Sequence, residues 1–209
     1  MCLMAERIAL VDYGAGNLRS VENALRAAGA PEVIVTADAE TVRGADRIVL
    51  PGVGAFAACM GALSAIPGMV DALHEAVLAR GRPFLGVCVG MQLMADAGEE
   101  HGRHAGLGWI GGTVRLMAPA DPAFKIPHMG WNDVLPAMPH PLIAPGEAYF
   151  LHSYRFDAAD PADVVATSGH GGAICAAVAR DTMIGVQFHP EKSQRYGLAF
   201  LARFLEWQP

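Results

Sequence analysis

The sequence predicts an α/β fold: a mostly parallel central sheet flanked by helices, extended by antiparallel strands in the C-terminal half. Two features of the first half carry this reading. Apolar, strand-like runs alternate there with helical stretches, and Gly or Pro closes most of them, as expected of strands buried on both faces of a parallel sheet. A third feature marks the second half, where past Trp109 strand-like runs follow one another with few helices between them.

Arg7 to Tyr13 (RIALVDY) reads as a strand closed by Gly14. Asn17 then opens the helical stretch NLRSVENALRAAG, which has Leu18, Val21, Leu25 and Ala28 on one face and Gly29 as its stop. EVIVTA, RIVLPG and PFLGV are further strands, with helical segments through VDALHEAVLARG and after Cys88. The second half supplies WIGGTVRLM, KIPHMGWNDVL, EAYFLHSYRF, GGAICAAVAR and TMIGVQFHPE as strands and hairpins that extend the sheet. A final helix, YGLAFLARFLEW, places Leu198, Leu201, Phe204 and Leu205 on one side. Ligands of such sheets bind outside the carboxyl ends of the strands.

With 209 residues, 53% of them hydrophobic, one sizeable core is expected. Residues 1–209 therefore read as a single domain, with 1–6 as a disordered or strand-leading extension. The formal charge of -6 argues against nucleic-acid and anionic-membrane partners, which call for a basic face. No long uncharged apolar run and no signal-like N-terminus is found, so a soluble, cytoplasmic protein is expected. Cys2, Cys59, Cys88 and Cys175 lack CxxC pairing, which disfavours a zinc site, and no metal or cofactor is expected. Cys2, Cys59 and Cys175 read as small hydrophobes.

Cys88 differs from the other three. Gly86-Val87-Cys88-Val89-Gly90 follows a strand and precedes a helical stretch, the context of a nucleophile elbow. Flanking glycines permit the sharp turn, and a following helix N-terminus lowers a thiol pKa. The same pentapeptide also suits a buried structural cysteine. A cysteine nucleophile needs a base, and His189 is the best candidate of the eight histidines. In His189-Pro190-Glu191 a strand period of two puts imidazole and carboxylate on one side, so that Glu191 orients the ring. Pro51-Gly52-Val53-Gly54 closes a neighbouring strand. Its backbone, with Val53 as the donor, and the N–H of Val89 form the expected oxyanion hole, although an ordinary strand-to-helix turn has the same composition.

LPGVGAF, PFLGVCVGMQLM and GVQFHPEKS, in this order, resemble the class I (triad) glutamine amidotransferases. DYGAGNLRSV, IPHMGWN and YFLHSY are most similar to the glutaminase subunit of imidazole glycerol phosphate synthase. The resemblance runs from about Arg7 to Trp207. It implies that Cys88 attacks the carboxamide carbon of L-glutamine, that His189 carries the proton to departing ammonia, and that Glu191 holds His189. It further implies a glutamine pocket of Gly54, Gln92, Glu100, Ser153 and Tyr154. Glu100 there suits the α-ammonium, with Glu99 as the competing choice. The implied partner is a separate (β/α)8-barrel cyclase subunit that receives the ammonia and forms a heterodimer through Asn17, Pro127, His128, Met129, Trp131 and Lys192. For Trp131 the sequence alone favours a core aromatic.

Rival readings are a glutaminase subunit of another synthase, such as pyridoxal phosphate synthase, a thiol hydrolase of another substrate, and a redox-sensing α/β protein without enzymatic activity. DYGAGNLRSV and PHMGWN argue against the first, and the His189-Pro190-Glu191 segment argues against the last.

Overall fold

The computed structural model describes residues 6–209. Cys2 and most of the expected N-terminal extension lie outside the described residues, whereas Glu6 pairs with the buried Arg47 at 2.9 Å. The chain runs β1 (Arg7–Val11), α1 (Leu18–Ala27), β2 (Glu32–Thr36), α2 (Ala39–Arg43), β3 (Arg47–Gly52), α3 (Phe56–Ala65), α4 (Met69–His74), β4 (Phe84–Cys88) and α5 (Val89–Gln92). It continues through β5 (Ala97–Gly98), β6 (His104–Ala105), β7 (Gly112–Leu116), β8 (His128–Pro136), β9 (Gly146–His152), β10 (Tyr154–Ala158), β11 (Val164–Gly169), β12 (Ala173–Arg180), β13 (Met183–Val186) and α6 (Gln194–Glu206).

The main sheet has the order β2-β1-β3-β4-β13-β12-β11-β8-β9. Pairing is parallel from β2 to β13 and antiparallel from there to β9, as the sequence predicts. Every residue of β3 and β4 is buried, and since side chains alternate between faces, both faces of the sheet are covered there. One group of helices pairs α1 with α6, while α4 joins α2 and α3 in another. Arg47 ties the C-terminus to the sheet by donating to the carbonyls of Phe204 and Trp207 at 2.9 and 2.7 Å.

Several expectations are corrected. WIGGTVRLM does not extend the main sheet, because β7 pairs with β10 and β5 in a second sheet of order β10-β7-β5-β6. EAYFLHSYRF is not one strand, since it breaks at Ser153 into β9 of the main sheet and β10 of the small one. The helix after Cys88 is a single turn. Its continuation is intercepted by backbone N–H groups of Leu107, Gly108 and Trp109, which donate to the carbonyls of Leu93, Ala95 and Met94. In α6 the buried stripe is Gly197, Phe200, Leu201 and Phe204, whereas Leu198 is 37% exposed. That stripe follows the spacing i, i+3, i+4, i+7, and Leu198 lies one residue off it.

Candidate active site

β4 ends on Cys88, and the chain turns at once into α5. Cys88 takes φ 55° and ψ −109°, a conformation that a residue with a Cβ seldom adopts. A Cβ at position 90 would stand 1.8 Å from the Leu50 carbonyl oxygen, and one at 86 would stand 2.7 Å from the oxygen of Gly90. Glycine at both positions is thus required by close approach of the backbone, which over-determines the strained cysteine between them. The one-turn α5 offers a much shorter array of peptide dipoles behind the sulfur than the sequence suggests.

His189 follows the end of β13 and is fixed through its backbone. Its N–H donates to the Tyr149 carbonyl at 2.9 Å, and its carbonyl accepts from Ser193 Oγ at 2.7 Å. The Ser193 hydroxyl in turn accepts from the Tyr149 N–H at 2.9 Å. Glu191 Oε1 lies 2.8 Å from His189 Nδ1, with the two side chains 2% and 4% exposed. A strand period does not make this contact, which corrects the expectation. Pro190 opens a 3-10 turn, Pro190–Lys192, and the turn curls the carboxylate back onto the ring. Burial pulls the His189 pKa down, but the hydrogen bonds and charges of Cys88 and Glu191 outweigh it and push it up to about 9. In its charged form the ring directs the Nδ1 N–H at Glu191.

Cys88 and His189 line one cavity of about 160 Å³. Val53 and Val89 line it too, as do Gly54, Gln92, Glu100, Ser153 and Tyr154. Register pairing of Gly52 with Cys88 brings the 51–54 segment beside the cysteine. Of the two glutamates, Glu100 faces the cavity and accepts from the Phe56 N–H at 2.8 Å, whereas Glu99 points into an outer ion cluster with Arg103 and Arg115.

Sequence reasoning missed the residues beneath this cavity. Tyr13 donates its hydroxyl to the Pro51 carbonyl at 2.7 Å, and Cys59 donates its thiol to the Val53 carbonyl at 3.4 Å. Cys59 is therefore more than a small hydrophobe. Burial, and then the neighbouring Cys59 and Cys88, raise the Tyr13 pKa far above the usual phenol value, so the phenol remains a donor. Gln187, fully buried, donates to Cys88 Sγ at 3.7 Å. A polar residue inside the apolar run MIGVQF, in step with His189, was the available signal.

The family described as Glutamine amidotransferase class-I matches residues 9–207. The chain belongs to the class-I glutamine amidotransferases. It is 62% identical to the imidazole glycerol phosphate synthase subunit HisH of Zymomonas mobilis subsp. mobilis, over 97% of this chain and 96% of that protein. Identity to the subunit of the same name from Rhodospirillum rubrum is 57%, over 97% of this chain and all (100%) of that protein. Among solved structures, PurLQS from Thermotoga maritima has the same fold, with a TM-score of 0.74 over 97% of this chain and 99% of that one at 19% identity.

This amidotransferase carries an exposed apolar face beside the cavity. Pairing of β8 with β9 sets Met129 opposite Leu151 and Trp131 opposite Tyr149. Met129 is 65% and Trp131 47% exposed, so Trp131 is not the core aromatic that the sequence alone favours. Trp131 meets Tyr149 edge to face at 6.1 Å, and Lys192 Nζ stands 5.8 Å from the centre of the same ring. Pro127 and Asn17 are exposed as well. His128 corrects the expected surface set. Strand alternation turns its side chain inward, where it is 3% exposed and stacks on Phe150.

Proposed function

We infer that this chain is the glutaminase subunit of an imidazole glycerol phosphate synthase. It hydrolyses glutamine to glutamate and ammonia and passes the ammonia to a cyclase subunit in histidine biosynthesis. The observation that carries the chemistry is the buried His189–Glu191 pair, at 2.8 Å, in one cavity with a cysteine held on a strained elbow. The narrowing to this synthase rests on the likeness to the HisH subunits.

In the proposed mechanism Cys88 attacks the carboxamide carbon as a thiolate and the carbonyl oxygen becomes an oxyanion. The backbone N–H groups of Val53 and Val89 stabilise that charge. His189, as imidazolium, gives its proton to the departing ammonia, leaving a γ-glutamyl thioester. Glu191 keeps the ring oriented and favours its charged form. The neutral imidazole then takes a proton from water, which cleaves the thioester to glutamate and restores Cys88. Among the described residues Glu100 offers the only carboxylate lining the cavity, suited to the substrate α-ammonium, and Gly54, Gln92, Ser153 and Tyr154 complete the pocket.

Ammonia released into water is protonated and loses its nucleophilicity, so a separate (β/α)8-barrel cyclase subunit docks near the cavity to receive it. The exposed Met129 and Trp131, with Pro127, Asn17 and Lys192 around them, have the aromatic and apolar character of an interface anchor. Glutamate release from glutamine tests the reading, measured with the chain alone and with the cyclase subunit and its nucleotide ligand. Strong release in the complete mixture, abolished in Cys88→Ala, is expected. Release that survives Cys88→Ala would overturn the nucleophile, and equal release without the cyclase would overturn the partner.

A further inference from the structure

A run of hydrogen bonds connects β8 to the Cys88 sulfur, and its direction is fixed at every link. Asn132 Oδ1 accepts from the Asp133 N–H at 2.9 Å, so Nδ2 is the atom 2.9 Å from His128 Nε2. Nε2 of His128 is then the acceptor, and the ring proton sits on Nδ1, 3.0 Å from His152 Nε2. The same step puts the His152 proton on Nδ1, which donates to the Tyr154 carbonyl at 2.8 Å. That carbonyl also accepts from Gln92 Nε2 at 3.2 Å, and the second proton on this nitrogen goes to Gln187 Oε1 at 3.0 Å. Gln187 Nε2 is left to donate to Cys88 Sγ at 3.7 Å. Gln92, His128, His152 and Gln187 are all buried, so none of these partners is readily exchanged for water.

We propose that Gln187 is a catalytic residue that holds the Cys88 sulfur by an N–H···S hydrogen bond, and that Gln92, His152, His128 and Asn132 are positioning residues that keep this donor aimed. An amide that could flip would present its oxygen to the thiolate and repel it. The chain of donors removes that freedom, since a flipped Gln187 would face the Gln92 N–H with its own N–H. A hydrogen bond to a charged sulfur is stronger than one to the neutral thiol, so the interaction favours the attacking form. The proposal rests on Cys88 being the nucleophile, and Cys88→Ala separates the two, since loss of activity in that variant stands whatever Gln187 does.

The test measures kcat and KM for glutamine in the complex with the cyclase subunit, and alkylation of Cys88 by iodoacetamide, followed by mass spectrometry of the Cys88 peptide. Gln187→Leu is expected to lower kcat and slow alkylation by the same factor, roughly tenfold, with KM within about twofold. Asn132→Leu, a milder change at the outer end, lowers kcat about threefold alone and has no further effect in the Gln187→Leu background. Should Gln187→Leu fail to fold, Gln187→Glu keeps the shape, replaces the donor with oxygen and carries the same expectation. Wild-type kcat and alkylation in the Gln187 variant would overturn the proposal. An undiminished Asn132 effect in the double variant would overturn the relay.

Discussion

At the scale of single residues, the site depends on one charge held behind another. Burial lowers the His189 pKa, and the carboxylate of Glu191, whose side chain is 2% exposed, joins Cys88 in outweighing it. Glu191→Gln keeps the volume and removes that charge, so the His189 pKa should fall from about 9 toward its ordinary 6.5 in an NMR titration. Glutaminase kcat should drop roughly tenfold to hundredfold, in line with the weight of an oriented acid–base group. A His189 pKa that stays in place would mean Cys88 alone maintains the imidazolium. Because the folded pKa is raised, the stability due to this pair is complete below 6.5 and is lost as pH rises through about 9. That Cys88, His189 and Glu191 converge was legible only from two segments taken together, a Gly-flanked turn and a His-Pro-Glu sequence, since each alone also suits an ordinary structural role. Gln187, Tyr13 and Cys59 were not, because their roles depend on hydrogen bonds to Cys88, Pro51 and Val53 across the fold.

At the scale of elements, the proposed triad depends on how α6 packs against the turn before it. A Cβ at Gly197 would stand 1.9 Å from the Pro190 carbonyl oxygen, a backbone atom that no rotamer change can move aside. Gly197→Ala should therefore push the Pro190–Lys192 turn away and carry Glu191 with it. A loss of about 1–3 kcal/mol is expected, read as a melting temperature lower by about 2–4 °C per kcal/mol, together with reduced kcat. Gly61 in α3 meets nothing within 4 Å, so Gly61→Ala should stabilise by about 0.5–1 kcal/mol through helix propensity and leave kcat unchanged. If both substitutions behave alike, the close approach at Gly197 has no mechanical consequence. The parallel half of the sheet was legible because β1, β3 and β4 are buried on both faces and read as continuous apolar runs. The break at Ser153 was not, since no Gly or Pro marks it. It follows from tertiary competition, in which β9 pairs with β8 while β10 pairs with β7 in the other sheet.

For the whole molecule, the buried histidine pair sets a limit on acid stability. Burial lowers His128 to about 3 and His152 to about 4, and each is further lowered by charge on neighbouring histidines, His152 and His170 for the first, His170 and His189 for the second. Geometry agrees with this direction, because protonating either ring would set an N–H against the donor it now accepts from. In the unfolded chain both rings take up a proton near 6.5. Between that value and 3 to 4 the unfolded state binds more protons than the folded one, so stability falls as pH falls through this window. Each group contributes a slope of up to about 1.4 kcal/mol per pH unit. Urea unfolding at several values between pH 7 and 4.5 measures the slope directly. His128→Phe, which keeps a ring stacked on Phe150, removes one of the two protons and the neighbour that repels the second, so its slope should be less than the wild-type slope over the same range. It also strands His152 Nε2 and the Asn132 amide, which should cost about 1–3 kcal/mol at pH 7. The comparison must therefore be of slopes, since carboxylates elsewhere contribute to both proteins alike. Equal slopes in the two proteins would mean that the pair accepts protons in the folded chain, and the fixed direction of hydrogen bonds from Asn132 to Cys88 would lose its histidine links.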